Sequence, residues 1–223
     1  MSETKTESNG YGARLDIDYP QELNRLTTFF RLFMLIPIGI ILALVTGSGE
    51  TVTNTQILDQ AGNVIRTTRD TAGSMASGIA IATGLMILFR QVYPRWWFDF
   101  MAELTRFETR VGAYALLMTD VYPSTIEDQS VHLELDYPDV KTDLNRWMPL
   151  VKWFLAIPHY IVLVFLGIGA LLATLIAWFA ILFTGRYPQG LFNYVLGVMR
   201  WGLRVNAYVF LQLTDKYPPF SLN

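Results

Sequence analysis

The sequence predicts an α-helical membrane protein with four transmembrane helices in two parallel repeats, each repeat with a short leading β-strand and an interfacial amphipathic helix. Three observations predict it: an apolar composition, long charge-free runs, and an internal match between the two halves. Of 223 residues, 52% are apolar and 16% charged, against about 25% charged in soluble domains. A net charge of −2 lacks the basic field of a nucleic-acid binder, so no nucleic-acid partner is expected. The chain has no Cys and only His132 and His159, which removes thiolate chemistry, disulfides and cysteine-held metal centres. No metal site, cofactor or catalytic residue is assigned, and enzyme activity is not expected.

The elements follow in chain order. Residues 1–12 form a polar tail that reads as disordered, and Leu15 to Tyr19 alternate as a half-buried strand. Leu32 to Val45 carry no charge and extend back past Arg31, which can snorkel to the headgroups, giving a first membrane helix at about 27–46. The outer loop 47–70 holds two Thr/Val/Ile-rich segments flanking Asp59 to Gly62, the pattern of a β-hairpin. A second membrane helix covers 71–90, and an interfacial amphipathic helix 95–118 follows Tyr93-Pro94. The first unit is thus 13–123.

The second unit is 131–220. It opens on the alternating run His132 to Tyr137, which could pair with the first strand. Trp153 to Gly185 are 33 uncharged residues, about 50 Å as one straight helix, against a hydrocarbon core of about 30 Å. A turn is therefore expected at Gly167-Ile168-Gly169, with membrane helices at about 147–166 and 169–185, either spanning or forming a re-entrant hairpin. A second interfacial helix covers 189–213.

Self-comparison supports the two-unit reading. Leu15 to Pro20 match Leu133 to Pro138, Asn24-Arg25 match Asn145-Arg146, and Ile36-Pro37 match Ile157-Pro158. Ile87 to Tyr114 and Ile181 to Tyr208 align without a gap, identical at 11 of 28 positions. Each unit closes on Thr-Asp-x-Tyr-Pro, at Thr119 and at Thr214. Of 17 Lys and Arg, only Arg66 and Arg69 fall in the loop between the first two membrane helices. By the positive-inside rule both termini are then cytoplasmic.

Trp178 to Pro188, Ala156-Ile157-Pro158-His159 and the closing Thr214 to Phe220 resemble the bacterial integral-membrane family filed as domain of unknown function 4389. The second unit is the closer match and the first a divergent copy. The resemblance implies an inner-membrane location and no particular reaction.

Candidate contact residues follow from the helical faces. Arg106, Arg110, Arg200 and Arg204 recur on one stripe of the two amphipathic helices. They either face water and lipid phosphate generally, or clamp an anionic headgroup or a partner's carboxylates, with Asp18 and Asp136 as polar partners in the chain. His159 follows Pro158 inside an apolar run, where an interfacial hydrogen bond is the expected role. Gly78, Ala82 and Gly84 in the second helix, and Ala173 and Ala177 in the fourth, form small-residue rows that predict a close crossing of these two helices. The function expected is that of a non-catalytic accessory or scaffold subunit of a larger membrane complex. Its partners would be membrane lipids and other integral membrane subunits. The alternatives are a lipid-handling protein that holds an anionic headgroup with the interfacial arginines, and a pore-forming homo-oligomer.

Overall fold

A computed structural model describes residues 11–46, 52–58, 64–71, 75–125, 127 and 129–223. Its element order is β1 (Ala13–Ile17), α1 (Arg25–Thr46), β2 (Val52–Leu58), β3 (Val64–Thr71), α2 (Met75–Arg90), α3 (Arg95–Ala115), β4 (Val131–Leu135), α4 (Met148–Leu155), α5 (Ile157–Thr184) and α6 (Gln189–Val209). Most of the tail expected to be disordered, residues 1–10, lies outside the described residues, as does the tip of the β2–β3 hairpin.

The two alternating runs form strands and pair antiparallel, centred on Leu15 opposite Leu133, with Ala13 opposite Leu135 and Ile17 opposite Val131. Their alternation decides which face is covered: Ala13, Leu15, Ile17, Val131 and Leu133 are buried, while Asp16 and Glu134 point out. Arg14 bridges Glu134 and Asp136 across the outer face, both at 3.0 Å. β2 and β3 also pair antiparallel, from Val52 opposite Thr71 to Leu58 opposite Val64, as their β-branched content predicts.

Beneath the β1–β4 sheet lies a middle layer, α3 and α6, and beneath that an outer layer of apolar helices. α6 is the best covered. Its Arg200 Nε donates to the Leu15 carbonyl of β1 at 2.9 Å, and the adjacent Trp201 points the other way, its Nε1 donating to His159 Nδ1 of α5 at 3.1 Å. Seven residues earlier, Tyr194 Oη donates to Leu166 O at 3.0 Å. Contacts that step by seven residues on both helices, in opposite directions, set α5 and α6 antiparallel and nearly aligned. α1 runs along α3 in the same way: Arg31 meets Tyr114, and Ile38 packs with Phe107 and Val111.

Two expectations are corrected. No turn forms at Gly167 to Gly169: α5 is one helix of 28 residues, about 42 Å long. Two glycines cost about 1 kcal/mol each in a helix, too little to break a run whose neighbours are all strong apolar packers. Instead the break comes at Ala156, between α4 and α5, one residue before the Ile157-Pro158 step, because proline has no N–H for the preceding turn. Among the described residues two helices are long and apolar enough to cross a membrane, Arg25–Thr46 and Ile157–Thr184, with Gly78–Arg90 a shorter apolar helix.

The second correction concerns the small-residue rows. α2 packs on α4, whereas α5 packs mainly on α6 and α1, so a close crossing of the two rows is not among the main contacts. Ala173 and Ala177 are buried in the main apolar core. A Cβ on Gly169 would collide with the Tyr194 hydroxyl. Gly84 faces Gln212 and Pro149, Gly78 faces open space, and Ala82 is half-buried.

The two central glycines of α5 therefore differ, and substitution should separate them. Gly169→Val should lower stability by about 1–3 kcal/mol through overpacking. Gly167→Ala, with nothing within 4 Å of its added carbon, should be neutral or gain up to about 1 kcal/mol of helix propensity. Thermal unfolding followed by circular dichroism checks both.

Candidate functional site

The most polar chemistry inside the apolar layers is a pair of closed cages. Arg31 enters the chain amid apolar residues, yet its side chain is only 2% exposed. It does not snorkel outward. Its Nη2 pairs with Asp120 Oδ1 at 2.5 Å and its Nη1 donates to Thr119 O at 2.7 Å, with its guanidinium carbon 4.0 Å from the Tyr114 ring centroid. Lys152, 1% exposed, is held by the same parts: Asp215 Oδ1 at 2.8 Å, Thr214 O at 2.8 Å and the Tyr208 ring at 5.1 Å. Each buried charge thus has a carboxylate, a carbonyl and an aromatic face, which together offset part of its desolvation.

The second oxygen of each carboxylate holds the start of a helix. Asp120 Oδ2 accepts from Asn24 N at 2.6 Å, and Asp215 Oδ2 from Asn145 N at 2.5 Å. Asn24 caps α1, its Oδ1 accepting from Leu26 N at 2.9 Å, while Asn145 closes the turn that leads into α4, its Oδ1 accepting from Trp147 N at 3.0 Å. Tyrosines then tie the two halves together in exchange: Tyr19 Oη donates to Tyr187 O, and Tyr137 Oη to Tyr93 O, both at 2.5 Å. The residues with positive φ among those described fall at matching places. Gln91 and Gly185 stand two residues before Tyr93 and Tyr187, and Leu117 and Gln212 two before Thr119 and Thr214.

The four stripe arginines do not converge on one site. Arg106 Nε donates to Leu133 O at 3.3 Å and its Nη1 pairs with Glu103. Arg200 joins Asp16 at 2.8 Å as well as Leu15 O. Arg110 donates to Ser124 O at 2.6 Å, while Arg204 donates to Asn223 O at 2.6 Å and to Ser221 O. Asp18 and Asp136 are not their partners: Asp18 meets His132 at 3.1 Å and Asp136 meets Arg14. The strand carbonyls and the C-terminal segment reach the arginines first, because the sheet lies directly over α3 and α6.

His159 is fully buried among aromatic rings, with Phe220 stacked at 4.1 Å and Tyr217 at 4.7 Å. An indole only donates, so Nδ1 is the acceptor of the Trp201 bond and the proton resides on Nε2, which has no hydrogen-bond partner. Burial raises the hydroxyl pKa of Tyr11 and Tyr93, consistent with their roles as donors to Arg204 O at 3.0 Å and Leu211 O at 3.1 Å. An open cleft of about 570 Å³ beside the second cage is lined by Asp136, Asp143, Asp215 and Lys216 among others. Asp136 and Asp215 are already paired. Among the described residues no group of His, Asp or Glu is arranged to hold a metal ion.

The sequence points to Arg31 only as a residue that can snorkel, and to Lys152, Asp120 and Asp215 not at all, although a signal exists. Both cations stand six residues before the matched prolines, Pro37 and Pro158, and both carboxylates lie in the matched Thr-Asp-x-Tyr-Pro segments.

Residues 146–221 match the family model described as Domain of unknown function (DUF4389). Neither a curated protein nor a solved structure matches the chain. The matched segment contains the whole second cage, from Lys152 to Asp215.

The cage predicts an asymmetry between its members. Asp215→Ala strands a buried ammonium and an amide, and should cost about 3–5 kcal/mol. Lys152→Met leaves a carboxylate 20% exposed and still bonded to Asn145 N, and should cost clearly less. Chemical denaturation midpoints test the order. Burial also raises the Glu108 carboxyl pKa, so the native state holds its proton to higher pH than the unfolded chain does. Stability from this group is then present at low pH and lost as pH rises through the raised value. Glu108→Gln should stabilise at neutral pH, and the gain should vanish on acidification.

Proposed function

We propose that the chain is a non-catalytic integral membrane protein that serves as an accessory or scaffold subunit of a larger assembly in the bacterial cytoplasmic membrane. The observation that carries this reading is a contrast in how the two kinds of surface are used. The buried cations and the stripe arginines are engaged by the chain's own carboxylates and carbonyls, whereas the outer helices leave a broad apolar surface uncovered. Leu32, Phe33, Leu44, Phe154, Phe165 and Phe183 are each 69–78% exposed. Single exposed apolar residues are ordinary, but a contiguous field of them calls for lipid or another protein.

In this reading the chain is two copies of one unit, related by a two-fold axis through Leu15 and Leu133. The reading is supported by the central pairing of these equivalent residues, by the exchanged tyrosine bonds and by the twin cages. An axis along the membrane normal puts both copies in the same orientation. The sheet, its charges and both termini then share the cytoplasmic side, in keeping with the Lys and Arg distribution.

Gentle detergent extraction at native expression tests the subunit role. A stoichiometric membrane-protein partner is the expected result. Recovery only as a monomer with tightly bound lipid would overturn it in favour of lipid handling.

A further inference from the structure

We infer that α5 lies in the plane of one membrane leaflet, its apolar stripe on the acyl chains, and does not cross the bilayer. The inference rests on the membrane reading above and concerns how the chain sits there. Hydropathy alone is equally compatible with a crossing, since the helix is apolar throughout and about 42 Å long. The decisive observation is where its two ends are tied.

At the start, α4 is anchored by Lys152 to Thr214 and Asp215. These residues border the cleft that also holds Gly12 and Asp136, the Ala13–Leu135 end of the sheet. At the finish, Gly185 O accepts from Leu23 N at 2.8 Å and Tyr187 O from Tyr19 Oη. Tyr19 stands two residues beyond Ile17, at the opposite end of the same sheet. Between these ties α6 is interposed between β1 and α5, with Arg200 reaching β1 and Trp201 and Tyr194 reaching α5. A helix that crossed would leave this polar layer and finish on the far side of the hydrocarbon. α5 begins and ends at the layer and runs along it.

The uncovered side of α5 fits a leaflet. Ile161, Phe165, Ile168, Leu172, Leu175 and Phe179 recur at steps of four and three, which puts them on one stripe, and each is 50–71% exposed. Exposed arginines fringe both ends, Arg25 and Arg186 at one and Arg90 and Arg146 at the other, with Trp147 64% and Trp96 68% exposed near the second. A flat apolar face rimmed by arginine and tryptophan is complementary to acyl chains beneath anionic headgroups.

The native chain has no cysteine, so single nitroxide labels can be placed at those six stripe positions in the full-length protein. It would be reconstituted in vesicles of phosphatidylethanolamine with phosphatidylglycerol. Depth is read from oxygen against nickel-chelate collision rates. Uniform depth at all six positions is expected, about 5–10 Å below the headgroup boundary. A profile that deepens to about 15 Å, half the hydrocarbon thickness, near Ile168 and Leu172 and becomes shallow towards Ile161 and Phe179 would overturn the in-plane seat while leaving membrane residence intact. Release of the protein from the vesicles by alkaline carbonate would overturn both. Six independent positions keep the result readable if one variant fails to fold.

Discussion

A charged group buried among apolar helices must be neutralised where it stands, and much of this architecture follows from that requirement. Removing Arg31 and Lys152 from water is affordable only because a Thr-Asp segment returns from the end of the following amphipathic helix to meet each of them. That return fixes several things together. It sets the distance between α1 and the end of α3, and between α4 and the end of α6. It also supplies the carboxylate oxygen that holds Asn24 N or Asn145 N, and so the point at which each apolar helix begins. The left-handed residues Leu117 and Gln212 belong to the same device. They end the helical path so that the next residues can turn towards the cation, a conformation that costs a non-glycine residue energy and persists because the cage over-determines it.

Once the cages are closed, the middle layer has little freedom. α6 is bonded on one side to β1 through Arg200 and on the other to α5 through Trp201 and Tyr194. Adjacent side chains on a helix point about 100° apart, so Arg200 and Trp201 serve two layers from consecutive positions. The arginines that looked available to a headgroup are absorbed in this way. An arginine already donating to carbonyls of its own chain has fewer N–H groups left to offer a ligand.

Legibility in the sequence divided along physical lines. The strands were readable because a period of two is unambiguous over five residues, and the amphipathic helices because one polar stripe faced one apolar one. Their ends were placed within a few residues, the left-handed positions being the part that no periodicity announces. The hairpin β2–β3 was readable from its Thr/Val/Ile content. The cages were not, because Arg31 and Lys152 appear locally as charges at the edge of an apolar run, a pattern that snorkelling explains equally well. Their partners lie 89 and 63 residues away, and only comparison of the two halves at a fixed distance from Pro37 and Pro158 links them. Gly167 and Gly169 misled for a related reason. Glycine permits a turn, but here Gly169 serves close approach of Tyr194, and no local feature distinguishes the two uses.

The length of α5 misled at a deeper level. Hydropathy measures the free energy of moving a segment out of water and carries no direction, so a helix laid along a leaflet and one driven through it score alike. A 33-residue uncharged run read against a bilayer of about 30 Å seems to demand a fold-back, but only if the helix axis is assumed to follow the membrane normal. Dropping that assumption removes the need for a turn. What fixes the axis is the pair of ties that flank it, Lys152 to Thr214-Asp215 and Tyr187 to Tyr19, each made to a residue far away in sequence and each lying beside one end of the same sheet. The orientation of an apolar helix is thus encoded in the few polar atoms that tether its ends, more than in the many apolar ones between them.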